Sequence, residues 1–143
     1  MKKMVSSFLA FVLVLCSTVS CYAVEDRASK YFDGYLLAMS AQGNNQMTVS
    51  FTVYGMSKMD QIGAYYIRIE EEVATDKWVT TFTAYGDRDP GTFYSYNAYE
   101  HGGDYTFTGV PGVKYRAVMK AYASNSSGSE YSSEIACNGK VCK

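Results

Sequence analysis

From Gln46 to Tyr54 the chain reads QMTVSFTVY, with Met47, Val49, Phe51 and Val53 at every second position and Gln46, Thr48, Ser50 and Thr52 between them. Apolar residues at period two share one face of a strand, so this segment is predicted to be a half-buried β-strand. Upstream, Tyr31–Gln42 is a less regular strand closed by Gly43-Asn44-Asn45, a good hairpin turn. Downstream, Gly55–Gln61 breaks the pattern and is expected to cross over. Ala64–Val73 then alternates again, with Tyr65, Ile67 and Ile69 on one side and Tyr66, Arg68 and Glu70 on the other. After a turn at Ala74–Lys77, Trp78, Thr80, Phe82 and Ala84 oppose Val79, Thr81, Thr83 and Tyr85. Strands are predicted again at Asp104–Val110, Lys114–Ala123 and Glu130–Ala136, seven in all. Between them, Gly86–Gly103 has no clean period yet holds Phe93, Tyr94, Tyr96 and Tyr99. That is too many rings for a purely solvated loop, so it reads as a covering loop or a binding surface.

The ends of the chain change the picture. The first 23 residues combine Lys2 and Lys3, an apolar run from Phe8 to Cys16 and a polar stretch closing on Ala23. This is the pattern of a secretory signal peptide, with the mature domain expected at residues 24–143. Thr18-Val19-Ser20-Cys21 distantly resembles a bacterial lipoprotein box, with Thr18 where leucine belongs; export is common to both readings. The apolar run is well short of a bilayer span, and no transmembrane segment is expected. Without Lys2 and Lys3, 11 basic residues face 14 acidic ones. No Lys/Arg cluster offers the footprint of a nucleic-acid or anionic-membrane binder. Two cysteines remain beyond the leader, Cys137 and Cys142, flanking Asn138-Gly139. In an oxidising compartment they are expected to close a small terminal loop, the alternative being two free thiols in a frayed tail.

Composition agrees with the period. Fourteen Tyr, seven Phe and only two Pro, with many Thr and Val, describe an all-β domain. About 120 residues make one domain with one core.

The stretch Val110-Pro111-Gly112-Val113-Lys114-Tyr115-Arg116-Ala117-Val118 resembles the turn and penultimate strand of a fibronectin type III domain. The resemblance implies an immunoglobulin or fibronectin type III-like sandwich of seven strands in two sheets. It also implies that Pro111 and Gly112 make the turn, and that Tyr115 packs inward with its hydroxyl bonded to upstream backbone. Ser124–Ser129 matches the polar loop joining the last two strands. The early tryptophan usual in that family is absent. More loosely, IGAYYIRI, DKWVTTF, GVKYRAV and GSEYS are similar to a succession found in small secreted proteins of unassigned function from Gram-positive gut bacteria, a likeness that implies no activity.

Candidate chemistry is sparse. His101, in EHGGD, is the only histidine. With no paired nucleophile identifiable, it reads as part of a polar turn. Asp87 and Asp89 sit in a Pro-Gly turn that lacks the further oxygens of a calcium loop. No catalytic residue, metal or cofactor is expected. Glu70-Glu71-Glu72 reads as a solvated strand end, with Glu71 on the inner side. The lead that remains is the aromatic excess: period two sends Tyr66, Tyr85 and Tyr122, with Val79 and Val118, to the side opposite the core. The expectation is a non-catalytic module binding an extracellular protein or glycan through those tyrosines, with Tyr94, Tyr96 and Tyr99 alongside. A secreted antagonist of toxin or bacteriocin type is the competing class.

Overall fold

A computed structural model describes residues 29–143. The expected leader and cleavage site, with Cys16 and Cys21, lie outside the described residues. The fold is all-β: β1 (Phe32–Gly43), β2 (Gln46–Ala74), β3 (Lys77–Tyr85), β4 (Tyr94–Thr108), β5 (Lys114–Asn125), β6 (Gly128–Tyr131), β7 (Ile135–Ala136) and β8 (Lys140–Val141). A 3-10 turn at Gly86–Arg88 and one helical turn at Pro90–Phe93 join β3 to β4. All eight strands belong to one curled antiparallel sheet.

The spine is β2, 29 residues long. Its first half pairs with β1 on one side, from Phe32↔Gly55 to Gly43↔Gln46, and with β4 on the other, from Tyr54↔Glu100 to Gln46↔Thr108. Its second half pairs with β5, from Gln61↔Ser124 to Glu71↔Tyr115, and with β3, from Tyr66↔Tyr85 to Ala74↔Lys77. Where a crossing between strands was expected at Gly55–Gln61, the strand instead continues. Between Tyr54 and Met59 the register against β4 slips, so extra residues bulge from β2 and turn the sheet. Two predicted strands are therefore one.

The hairpins follow from local chemistry. Asn44 and Asn45 both take positive φ, 50° and 62°, as the two central residues of a loop whose twist matches its strands. In the β5–β6 loop the Asn125 side-chain oxygen accepts the Ser127 N–H at 2.9 Å. The last predicted strand, Glu130–Ala136, breaks after Tyr131 into β6 and β7 along β5, and β8 follows beyond it. Side chains complete the ladder at the breaks. Ser132 Oγ accepts the Ala121 N–H at 2.8 Å, and Cys137 Sγ accepts the Ala117 N–H at 3.3 Å.

Curling brings the inner sides of both halves together. Met47, Val49, Phe51 and Val53 from the first half meet Ile62, Ile67, Ile69, Tyr115, Ala117 and Met119 from the second, with Phe93 and Phe107 between. Gly63 allows the closest approach: a β-carbon there would lie 1.9 Å from the Phe93 carbonyl oxygen. At the far end the chain terminus closes the gap, with the Asn45 N–H donating to the Lys143 carbonyl at 2.9 Å.

The turn after β4 is built around Tyr115. The ring is buried edge-on to Phe107, with centroids 5.5 Å apart, and its hydroxyl accepts the Val110 N–H at 3.1 Å. Gly112 takes φ of 81°, which a side chain would strain. Pro111 sits exposed before it.

The expected Cys137–Cys142 bridge is not formed, and both thiols are free. The Cys137 N–H donates to the Ala117 carbonyl and the Cys142 N–H to the Val113 carbonyl. Four residues of β5 separate those carbonyls, roughly 13 Å along a strand. That is about twice the Cα separation a disulfide spans. Pairing with β5 thus overrides the short loop that the sequence spacing suggested.

Candidate binding face

Two bulges decide what the outer side of the second half presents. The apolar positions Ile62 and Ala64 have one parity and Ile67 and Ile69 the other, and the register against β5 shifts between Ala64 and Tyr66 to accommodate this. Tyr65, expected on the core side with Ile67, therefore stands outside next to Tyr66. In β3 the register shifts as Ile69 faces Phe82 and Glu70 faces Thr80. Phe82 and Ala84 stay inside, but Trp78 moves outside, and Val79 faces Glu71 at the inner margin instead of the outer side. One inserted residue reverses every side chain beyond it.

Six tyrosines join on this outer side. Ring centroids are 5.7 Å apart for Tyr65–Tyr66, 6.3 Å for Tyr65–Tyr85 and 6.0 Å for Tyr66–Tyr85. Tyr131 lies 4.9 Å from both Tyr65 and Tyr122, and Tyr94 stands edge-on to Tyr122 at 6.3 Å. Tyr85 and Tyr131 are the most open, 40 % and 49 % exposed, whereas Tyr94 is buried and underlies the others. Burial raises the Tyr94 and Tyr131 hydroxyls above the usual phenol range, with the charge of Asp87 adding to it. Arg88 lies over Tyr85 and Lys120 over Tyr131, at 5.8 and 5.7 Å. Of the six tyrosines named from the sequence, the structure gathers Tyr66, Tyr85, Tyr122 and Tyr94. Tyr96 and Tyr99 stand apart on β4, 58 % and 64 % exposed. Tyr65 and Tyr131 were missed. The parity switch between Ala64 and Ile67 was a readable signal for the first; the second lies directly across from Tyr122.

A charged lattice continues the face away from the rings. Glu134, on the loop after β6, reaches over β5 to Arg68. The guanidinium grips both carboxylate oxygens, Nη1 to Oε1 at 2.6 Å and Nη2 to Oε2 at 3.0 Å, and the Tyr66 hydroxyl also donates to Glu134. Arg68 and Tyr66 together hold the Glu134 carboxyl down at about 2. Val118, which faces Arg68 across the ladder, is buried on this side, outside the main core. Further along, Glu70 accepts from Arg68 at 2.9 Å and from Arg116 at 2.7 Å, which satisfies a carboxylate that burial would otherwise penalise. Lys114 pairs with Glu72 at 3.0 Å, and Trp78 lies beneath Arg116 and Lys114 at 4.5 and 5.5 Å. Glu70 and Glu72 are thus ion-paired members of the lattice, not free acids at a strand end.

His101 lies elsewhere, on β4, buried against Phe51 with ring centroids 5.6 Å apart. Its Nε2 is 2.8 Å from the Thr92 carbonyl, which only accepts, so the proton sits on Nε2. Nδ1 then accepts from the Ser95 hydroxyl at 2.9 Å. Nε2 thus holds the helical turn against β4, and Nδ1 ties His101 to Ser95 within β4. Among the described residues, no three His, Cys, Asp or Glu side chains are grouped to share a metal ion, and no helix is long and apolar enough to cross a membrane.

Comparison with known proteins gives no match to a family model, to a curated protein or to a solved structure.

Proposed function

We propose that the chain is an exported, non-catalytic module that binds an extracellular protein or glycan through the tyrosine patch of β2, β3, β5 and β6. One observation carries the reading: Tyr65, Tyr66, Tyr85, Tyr122 and Tyr131 form a continuous outer patch whose most open members, Tyr85 and Tyr131, lie beside Arg88 and Lys120. Rings held by neighbouring rings lose little entropy on binding, and their hydroxyls supply directed hydrogen bonds to a polar partner. Tyrosine flanked by arginine is also the composition enriched where binding energy concentrates. The Arg68–Glu134 pair braces one edge of the patch.

The same reading takes the curled sheet as a fibronectin type III-like sandwich. Its support is the Tyr115 hydroxyl on the Val110 N–H and the way the two halves of β2 face one another across the core. Export rests on the leader pattern of residues 1–23.

The test is retention of the processed protein on cell-surface extracts and glycan arrays, with Tyr85→Ser and Tyr131→Ser combined. Both side chains are open enough for the fold to survive. Loss of retention at an unchanged unfolding temperature supports the patch. Undiminished retention rejects it.

A further inference from the structure

A sheet that is not closed must protect its edges, because a row of unpaired backbone groups invites another strand. Three of the four edges here carry such protection. Along β3 the ladder is bulged at Ile69/Glu70 and again at Glu72/Ala74, and Lys77 opens the strand. The edge beyond β5 is cut into strands of four, two and two residues. On β4 the helical turn packs against the strand through His101 and Thr92, and Glu100 and Asp104 add charge.

The edge of β1 has no helical cover and no break along its middle; its ladder is bulged only at the two ends, between Phe32 and Gly34 and between Ala41 and Gly43. Among the described residues, β1 pairs only with β2, and its register is unbroken from Gly34 to Ala41. Those eight residues, GYLLAMSA, contain no charge and no proline. Leu36 is 58 % exposed beside Ala38, and together they border a shallow trough floored by Gly102 and Gly103.

We infer that β1 is a pairing edge and that its partner is β1 of a second copy of this chain, joined antiparallel about Leu37 into one sheet across the two molecules. Self-pairing in that register sets Leu36 opposite Ala38 on the outer side, Tyr35 opposite Met39 on the inner side and Gly34 opposite Ser40. Each bulky side chain meets a smaller or more flexible one, and no like charges meet. A charged or proline-bearing peptide would find no counter-charge along this strand. The symmetric arrangement is also self-limiting, since each molecule has one such edge. The pairing would link two tyrosine patches in one particle, so that a repetitive surface could engage both at once.

Sedimentation of the processed protein from about 1 µM to several hundred µM covers the range expected of a small interface. A shift from monomer to dimer mass is expected, with the dimer lost in the variant carrying both Leu36→Lys and Ala38→Lys. In parallel, hydrogen exchange of the unmutated protein should show Gly34–Ala41 amides gaining protection as concentration rises, a readout independent of how the variant folds. Monomer mass throughout, or exchange at Gly34–Ala41 that ignores concentration, overturns the inference. A dimer that survives the two lysines also overturns it. Protection of this segment only when another protein is added would assign the edge to that partner and reject self-pairing.

Discussion

Arg68 grips Glu134 with two parallel hydrogen bonds, one to each carboxylate oxygen, across 66 residues of sequence. That contact pulls the loop after β6 over the outer side of β5, above Val118. A two-pronged geometry inside a lattice makes it worth more than an ordinary surface pair, yet the carboxylate is partly open to solvent. Glu134→Gln is expected to lower unfolding free energy by about 1 kcal/mol at neutral pH. The sign of its pH dependence follows from the depressed carboxyl at about 2. Stability from this pair is complete above the unfolded value near pH 4.3 and drains away as pH falls toward 2. Chemical denaturation of both proteins at several pH values should therefore show their difference shrinking between about pH 5 and pH 2.

Tyr115→Phe removes the acceptor for the Val110 N–H while keeping the ring against Phe107. The loss should be about 1 kcal/mol, because Val110 is exposed enough for water to replace part of the bond. Tyr115→Ala should cost at least about 3 kcal/mol, as expected when a buried ring is deleted. Urea unfolding of the three proteins would separate the two contributions. Equal costs for Phe and Ala would assign everything to the hydroxyl, against the packing described.

Gly63→Ala places a methyl group 1.9 Å from the Phe93 carbonyl oxygen, and backbone on both sides leaves no flexible atom to yield. Loss of more than about 4 kcal/mol, or failure to accumulate folded protein, is expected. Gly91→Ala is the matched control, since nothing lies within 4 Å of a β-carbon there. Comparable folding yields for the two would remove the close approach of β2 and the helical turn.

Cys142 is buried beside Gly109, whose β-carbon would lie 2.9 Å from its sulfur, and burial raises the Cys137 thiol above the ordinary range. Both are expected to react slowly with iodoacetamide in the folded protein and fast in denaturant. Mass spectrometry after denaturing alkylation should find both Cys137 and Cys142 modified. Finding neither modified would mean the bridge forms after all and β8 leaves β5.

The strictly alternating run from Met47 to Val53 told its burial correctly, because a regular strand ties each side chain's direction to its parity. Parity failed wherever a residue was inserted. Tyr65 and Trp78 changed sides through bulges, and the bulge after Tyr54 hid the fact that two predicted strands are one. Only tertiary pairing forces those insertions. The strand in Tyr94–Gly103 was equally hidden, since its left-handed Asn97 and two glycines interrupt the apolar pattern. Tyr66, Tyr85 and Tyr122 were legible as outward-facing from local alternation. Their joining with Tyr131, and the reach of Glu134 to Arg68, depend on how the last segment lies along β5, which no local pattern encodes.

The long β2 also has a kinetic side. Its flanks are supplied by β1 from before it and by β3, β4 and β5 from after it, with partners as distant as Gln46 and Thr108. A growing chain cannot complete either half early, because the inner side of β2 stays greasy and bare until β5 arrives. Assembly is therefore late and concerted, with long loops closed before most contacts reward them, and slow by the standards of chains this size. The interval before Asn125 emerges is when a chaperone would matter most.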